Sequence, residues 1–191
     1  MSDSDLIRKA LIDIWMENIQ VEFNAGRIAY ERQLQGFLFH YLKLRQDQEG
    51  FEVWIEPTWY KNADESGEVS KLKFIPDMVI SRGKSILAII ELKWKPWEAS
   101  ASDVGKLDEM WLDWKNGAGL LLKVIPTDYR WYKNKEEKVE YEIDDHCLFV
   151  FAVCSQPGSE ALTKRPERLK DNFLFLTAQI TENDGVLFES K

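Results

Sequence analysis

Cysteine and histidine are scarce: the 191-residue chain holds two of each. Cys147 and Cys154 stand seven residues apart in "CLFVFAVC", an apolar run that reads as one strand. Residues an odd distance apart on a strand face opposite sides, so these thiols cannot bridge each other. They read as small core residues of a reducing compartment. His40 and His146 are too few for a multi-histidine metal site, and no Cys/His spacing of the zinc kind occurs. Serine-hydrolase and phosphate-loop motifs are missing too. "SRGKS" (81–85) contains Gly-Lys-Ser but lacks the earlier glycine and the following helix. No apolar run reaches the roughly 18 residues of a membrane span, and the polar start "MSDSDLIRKA" is wrong for a secretory signal. The expectation is a cytoplasmic protein with no membrane association. Positive charge is also in deficit, with 25 Lys+Arg against 33 Asp+Glu and a formal net charge of −8. Nucleic-acid binders usually carry a basic surplus, so any such contact must use a local basic groove.

What the chain does have is enough apolar material for a core, at 45% hydrophobic and 30% charged residues. Its length suits a single domain over 1–191. Residues 4–18 carry Leu6, Ile7, Leu11, Ile14 and Trp15 at helical spacing. A second helix is predicted over 26–46, with a stripe of Ile28, Leu34, Leu38, Tyr41 and Leu42. "FEVWIEPTWY" (51–60) reads as one strand and 61–68 as a polar loop. The runs 72–81 and 86–94 form a hairpin around "RGKS". Ser102 is placed to cap a helix over 103–116 that carries Val104, Leu107, Trp111 and Trp114. "LLLKVI" (120–125) follows as a buried strand. After a charged and aromatic insertion at 126–146 comes a strand over 148–154. A short helix interrupted by Pro166 and two late strands, "FLFLTAQI" and "GVLFES", complete the chain. The class is α/β, in the order ααβββαβ with a β-rich C-terminal part.

The hairpin poses a chemical question, because Asp77, Glu91 and Lys93 interrupt runs that look buried. Glu91 and Lys93, two apart on a strand, share a face. An odd loop of Gly83-Lys84-Ser85 puts Asp77 directly opposite Glu91. An even, unbulged loop sends the two carboxylates to opposite faces, so shared placement demands an odd loop or a bulge. Two adjacent buried carboxylates repel each other. A divalent cation removes that penalty, and a hard oxygen cluster suits Mg2+, with Mn2+ as substitute. Such an ion activates water and stabilises charge on a phosphate, and a neighbouring lysine can position the water. Upstream, Glu31 lies in the apolar stripe of the second helix, with Gln35 one turn on.

Pro76-Asp77 followed by Glu91-Leu92-Lys93, with "ExxLQ" (Glu31, Leu34, Gln35) on the preceding helix, resembles the PD-(D/E)XK nuclease superfamily. The element order is similar as well, over about residues 26–125; residues 126–191 match no part of it. The resemblance implies a restriction-endonuclease-like core, a mixed sheet flanked by helices. It implies that Asp77, Glu91 and the Leu92 carbonyl ligate Mg2+, that Lys93 assists the nucleophilic water, and that Glu31 completes the site. The implied activity is metal-dependent phosphodiester hydrolysis, on DNA rather than RNA, in restriction, repair or mobile-element defence. A homodimer or a partner protein would supply the DNA affinity that the acidic balance withholds.

Plainer readings stand beside these. Pro76 can mark a bulge or an edge, Asp77 and Lys93 can form a cross-strand ion pair, and Glu31 can pair with Arg27 one turn away. Lys95 and Lys106 are candidate substrate contacts or solvated cations, and Gln35 is a further candidate contact. Of eight tryptophans, Trp54, Trp111 and Trp114 have the spacing of core residues, which leaves Trp97 to stack on a base. "YRWYKNKEEK" (129–138) is either a DNA-contacting arm or a solvated hairpin. The rival function is a non-catalytic protein- or nucleic-acid-binding module on the same fold.

Overall fold

The structure, a computed structural model, describes residues 2–61, 75–94, 100–115, 120–123, 139–155, 167–169, 171–180 and 186–190. Helix α1 (Asp3–Asp13) opens with a reciprocal capping box, in which the Ser2 hydroxyl accepts the Asp5 N–H and the Asp5 carboxylate accepts the Ser2 N–H. The helix continues through a π-helical segment (Ile14–Ile19) into α2 (Gln20–Asn24). Its apolar side chains Ile7, Leu11, Ile14, Trp15 and Ile19 are all buried. Helix α3 spans Glu31–Glu49, five residues later at its start than the sequence pattern suggests. Tyr30 is extended, so the helix cannot begin before Glu31. Gly50, at φ 69°, ends it in the left-handed conformation that glycine adopts without a Cβ clash. The stripe Leu34, Leu38 and Leu42 is fully buried.

Six strands form a mixed sheet in the order β1 (Glu52–Ile55), β3 (Met78–Arg82), β4 (Ser85–Trp94), β7 (Glu142–Ser155), β8 (Phe173–Ile180), β9 (Val186–Ser190). β1 with β3 and β3 with β4 pair antiparallel, β4 with β7 and β7 with β8 pair parallel, and β9 returns antiparallel to β8. A parallel neighbour requires a crossover, and helix α4 (Ser100–Lys115) lies within the β4–β7 connection. A second sheet joins β2 (Thr58–Lys61), β5 (Leu120–Lys123) and β6 (Val139–Glu140).

The main sheet separates two cores. On one face Met78, Ile80, Leu87, Ile90, Leu92, Val150 and Leu176 pack with α1, the π segment and α3. On the other, Val79, Ile86, Ile89, Phe149, Phe151 and Phe175 pack with Leu107 and Met110 of α4. The thiols divide as their spacing requires, Cys154 in the first core and Cys147 in the second, both buried and free. Burial raises both thiols well above their ordinary value, so neither is a ready nucleophile.

Several expectations need correction. The stretch 51–60 is not one strand: β1 ends at Ile55 and β2 begins at Thr58, in a different sheet. Glu56 takes φ 45° at the break and Pro57 follows it. Proline cannot donate to a ladder, so it favours such a break. The strand expected over 120–125 is described over Leu120–Lys123, at the centre of the second sheet, and β7 is the strand that lies parallel to β4. Ser102 lies inside α4 rather than at its cap. Residues 142–146, assigned to an insertion, begin β7. The arm 129–138 and the Pro166 segment lie outside the described residues.

The hairpin register is the feature that places the site. β3 and β4 close on the two-residue loop Gly83-Lys84, with Arg82 opposite Ser85 and Ser81 opposite Ile86. Gly83, at φ 58°, occupies the loop position that demands positive φ. This loop is even. A bulge then intervenes, because Ile80 pairs with Ala88 and leaves Leu87 as the extra residue. Beyond it Val79 meets Ile89 and Met78 meets Ile90, where the ladder ends; the same register carried one step further would set Asp77 opposite Glu91. Without the bulge every later β4 residue would turn over. Ile90 and Leu92 would leave the helix-side core, and Glu91 would enter it at a desolvation cost of several kcal/mol.

Candidate active site

The β3–β4 ladder stops at Met78 and Ile90, and the candidate residues gather just past its end. Asp77 directly precedes β3, while Glu91, Leu92 and Lys93 lie in the last turns of the β4 pleat. Past the ladder the backbone amides of β4 find carboxylates. The Leu92 N–H donates to Asp77 Oδ2 at 2.6 Å, and the Trp94 N–H donates to Glu31 Oε2 at 3.3 Å. Each bond satisfies a polar group the ladder leaves over.

Helices reach this point from both faces of the sheet. Glu31, the first residue of α3, stands with Oε2 3.7 Å from Lys93 Nζ. Gln35, one turn on, donates through Nε2 to the Asp77 carbonyl at 3.1 Å, which also accepts the Glu56 N–H at 2.9 Å. Gln35 therefore supports an acid of the site by its backbone. From α4, Lys106 brings Nζ to 3.6 Å from Glu91 Oε1, and Lys93 Nζ lies 3.7 Å from the same oxygen. Glu91 is 6% exposed, so this carboxylate is buried between two ammonium groups. Lys95 and Trp97 lie outside the described residues. Trp94 packs its ring against Phe23, with centroids 5.6 Å apart.

Burial pushes the Asp77 carboxyl above the ordinary aspartate value. The Leu92 N–H and the Lys93 charge oppose the shift, while the charges of Glu31 and Glu56 add to it. Glu56 is the residue that sequence reasoning missed. Its only signal was the Glu-Pro dipeptide within a supposed strand. The pairing of Glu31 with Arg27 does not occur: Arg27 pairs with Glu22, which also accepts the Tyr41 hydroxyl at 2.6 Å. Trp54 is half-buried and donates to the Ser81 hydroxyl, and Trp111 packs on the α4-side core.

Among the described residues, no three Asp, Glu, His or Cys side chains converge closely enough to hold a metal ion as they stand. The donor chemistry nonetheless suits a hard cation. The acids are oxygen-only ligands, and Asp77, held above its ordinary value among other carboxylates, is a group that a nearby cation would relieve. Among the described residues no helix is long and apolar enough to cross a membrane. Comparison with protein-family models, with curated proteins and with solved structures returned no match.

Proposed function

We propose that the chain is a metal-dependent phosphodiesterase, a DNA nuclease of the PD-(D/E)XK type. The observation that carries the reading is Lys93 past the end of the β3–β4 ladder, with its ammonium beside the Glu31 and Glu91 carboxylates and its charge acting on Asp77. The architecture supports it. Three antiparallel strands, a helical crossover and a parallel fourth strand are what a restriction-endonuclease-like core would require; β7 would then take the fourth place, with β8 and β9 extending the sheet.

Asp77, Glu91 and the Leu92 carbonyl would hold Mg2+ or Mn2+. Bound there, the ion would lower the pKa of a water and offset charge on the phosphate. Lys93 keeps its ammonium at the mouth of the acid pair, where it can hold the attacking water or the developing oxyanion. Lys106 adds a second ammonium from the opposite face of the sheet and is the candidate contact for a phosphate oxygen. With all groups ionised, Glu31, Glu56, Asp77 and Glu91 outweigh Lys93 and Lys106, and the surplus is negative, which a divalent cation would offset. An overall charge of −8 means that affinity comes from this local balance, from the ion, or from a second copy or partner.

The same charge favours a second reading, a binding module in which the ion pairs of Glu91 are purely structural. The assay that separates them incubates the protein with supercoiled and linear DNA in Mg2+, Mn2+ or EDTA, beside Asp77→Ala and Lys93→Ala. Nicking that needs the ion and disappears in both variants is the expected result. Equal cutting by the variants, or none by the parent, rejects hydrolysis.

A further inference from the structure

We infer that α3 braces the site as a two-point bracket, in which Glu31 and Gln35 are positioning residues that set the gap between Asp77 and Lys93. The assignment rests on the nuclease reading for its consequence and on geometry for its existence.

The need arises where the ladder ends. Up to Met78 and Ile90, interstrand hydrogen bonds fix the spacing of β3 and β4. Asp77, Glu91 and Lys93 lie beyond that point. Glu31 and Gln35 are four apart, so they share one face of α3 a turn from each other. Each reaches a different strand. Gln35 Nε2 takes the Asp77 carbonyl at 3.1 Å, on the β3 side. Glu31 Oε2 accepts the Trp94 N–H at 3.3 Å and stands 3.7 Å from Lys93 Nζ, on the β4 side. The helix is anchored by Leu34, Leu38 and Leu42 in the core, so it moves with the sheet. The same Glu31 oxygen serves the backbone and the lysine. Holding both is the work of a carboxylate that orients Lys93, and this assigns Glu31 to the amine rather than to an ion. The Glu56 N–H on the Asp77 carbonyl makes the β3 side doubly held.

The test pairs cleavage kinetics with a measurement that needs no activity. Glu31→Ala, Glu31→Gln, Gln35→Ala and the length-preserving Gln35→Met are compared with the parent, after melting confirms that each is folded. If α3 is a bracket, the alanine variants and Gln35→Met lose about 10–100-fold in kcat, the usual effect of removing a group that orients a metal-site residue. KM for DNA and the Mn2+ concentration for half-activation stay within about threefold. Glu31→Gln, which keeps an acceptor for the Trp94 N–H, falls between parent and alanine. Independently, Glu31→Ala speeds hydrogen exchange at the Trp94 amide by about tenfold or more, and both Gln35 variants shift the carbonyl carbon resonance of Asp77. A tenfold rise in the Mn2+ requirement of Glu31→Gln, with kcat restored at saturating Mn2+, would make Glu31 an ion ligand and overturn its assignment. Unchanged Trp94 exchange and an unmoved Asp77 resonance would overturn the bracket outright. If the parent cuts no DNA, hydrolysis fails as a reading, while exchange and resonance still decide the bracket.

Discussion

The buried Glu91 carboxylate gives the sharpest energetic test. At 6% exposure it stands between Lys93 Nζ at 3.7 Å and Lys106 Nζ at 3.6 Å. At such distances the gross attraction of one pair is about 4 kcal/mol in a protein-like dielectric, much of it offset by desolvation. Replacing one lysine by methionine leaves the other ammonium in place, and the expected loss is about 1 kcal/mol, near that of a partly exposed pair. Replacing both withdraws both ammoniums from a carboxylate that is only 6% exposed, and the expected loss is about 3–5 kcal/mol. The double-mutant cycle should therefore show about 1–3 kcal/mol of non-additivity. Urea unfolding in EDTA at neutral pH measures it. A Glu91→Gln substitution in the double background should recover most of the loss, since it removes the stranded charge. A double variant equal to the sum of the singles within about 0.5 kcal/mol, or unimproved by Glu91→Gln, would refute the reasoning.

Three further outcomes follow from the same geometry. Asp77 is held above the ordinary value of 3.8 mainly by burial, so the folded state binds its proton more tightly than the unfolded chain does. The stability this confers is complete below pH 3.8 and disappears as pH rises through the folded value, so Asp77→Asn should be more stable than the parent at pH 7 in EDTA, with the gap closing in acid. A gap independent of pH in melting curves would contradict that cause. Gly83→Ala should cost about 1–2 kcal/mol, because φ 58° is strained for alanine although nothing lies within 4 Å of the added Cβ. Deleting Leu87 should cost about 2–5 kcal/mol of buried leucine and yet leave Met78 paired with Ile90, because it removes only the bulge; loss of the cross-strand contact between Met78 and Ile90 in NMR spectra would show that the bulge is needed for that register.

Much of the fold was legible because periodicity and burial coincide. The Leu34, Leu38, Leu42 stripe and the Ile7 to Trp15 stripe repeat at helical spacing and are buried in the same core. The continuous apolar runs 86–90 and 147–154 read as strands because both faces of the sheet are covered. The opposite facing of Cys147 and Cys154 followed from strand alternation alone. The failures also have causes. The run 51–60 is β-prone throughout, so only Pro57 marks the break between two strands of different sheets. "LLLKVI" reads as a buried strand, but no local pattern tells which sheet it joins; β5 pairs with β2 and β6, and the long β7 lies beside β4.

Local sequence determined which residues are acids, which runs are apolar, and that Asp77 and Glu91 would share a face only through an odd loop or a bulge. Both options were open on paper, since "SRGKS" closes equally well as either. Tertiary structure decided for an even loop and a bulge at Leu87, because only that register keeps Ile90 and Leu92 in the helix-side core while Glu91 meets the lysine of α4. It also decided that Glu31 lies against Lys93 and Gln35 against Asp77. A pattern along one chain specifies which way a side chain points, and only the packing of distant elements specifies what it meets.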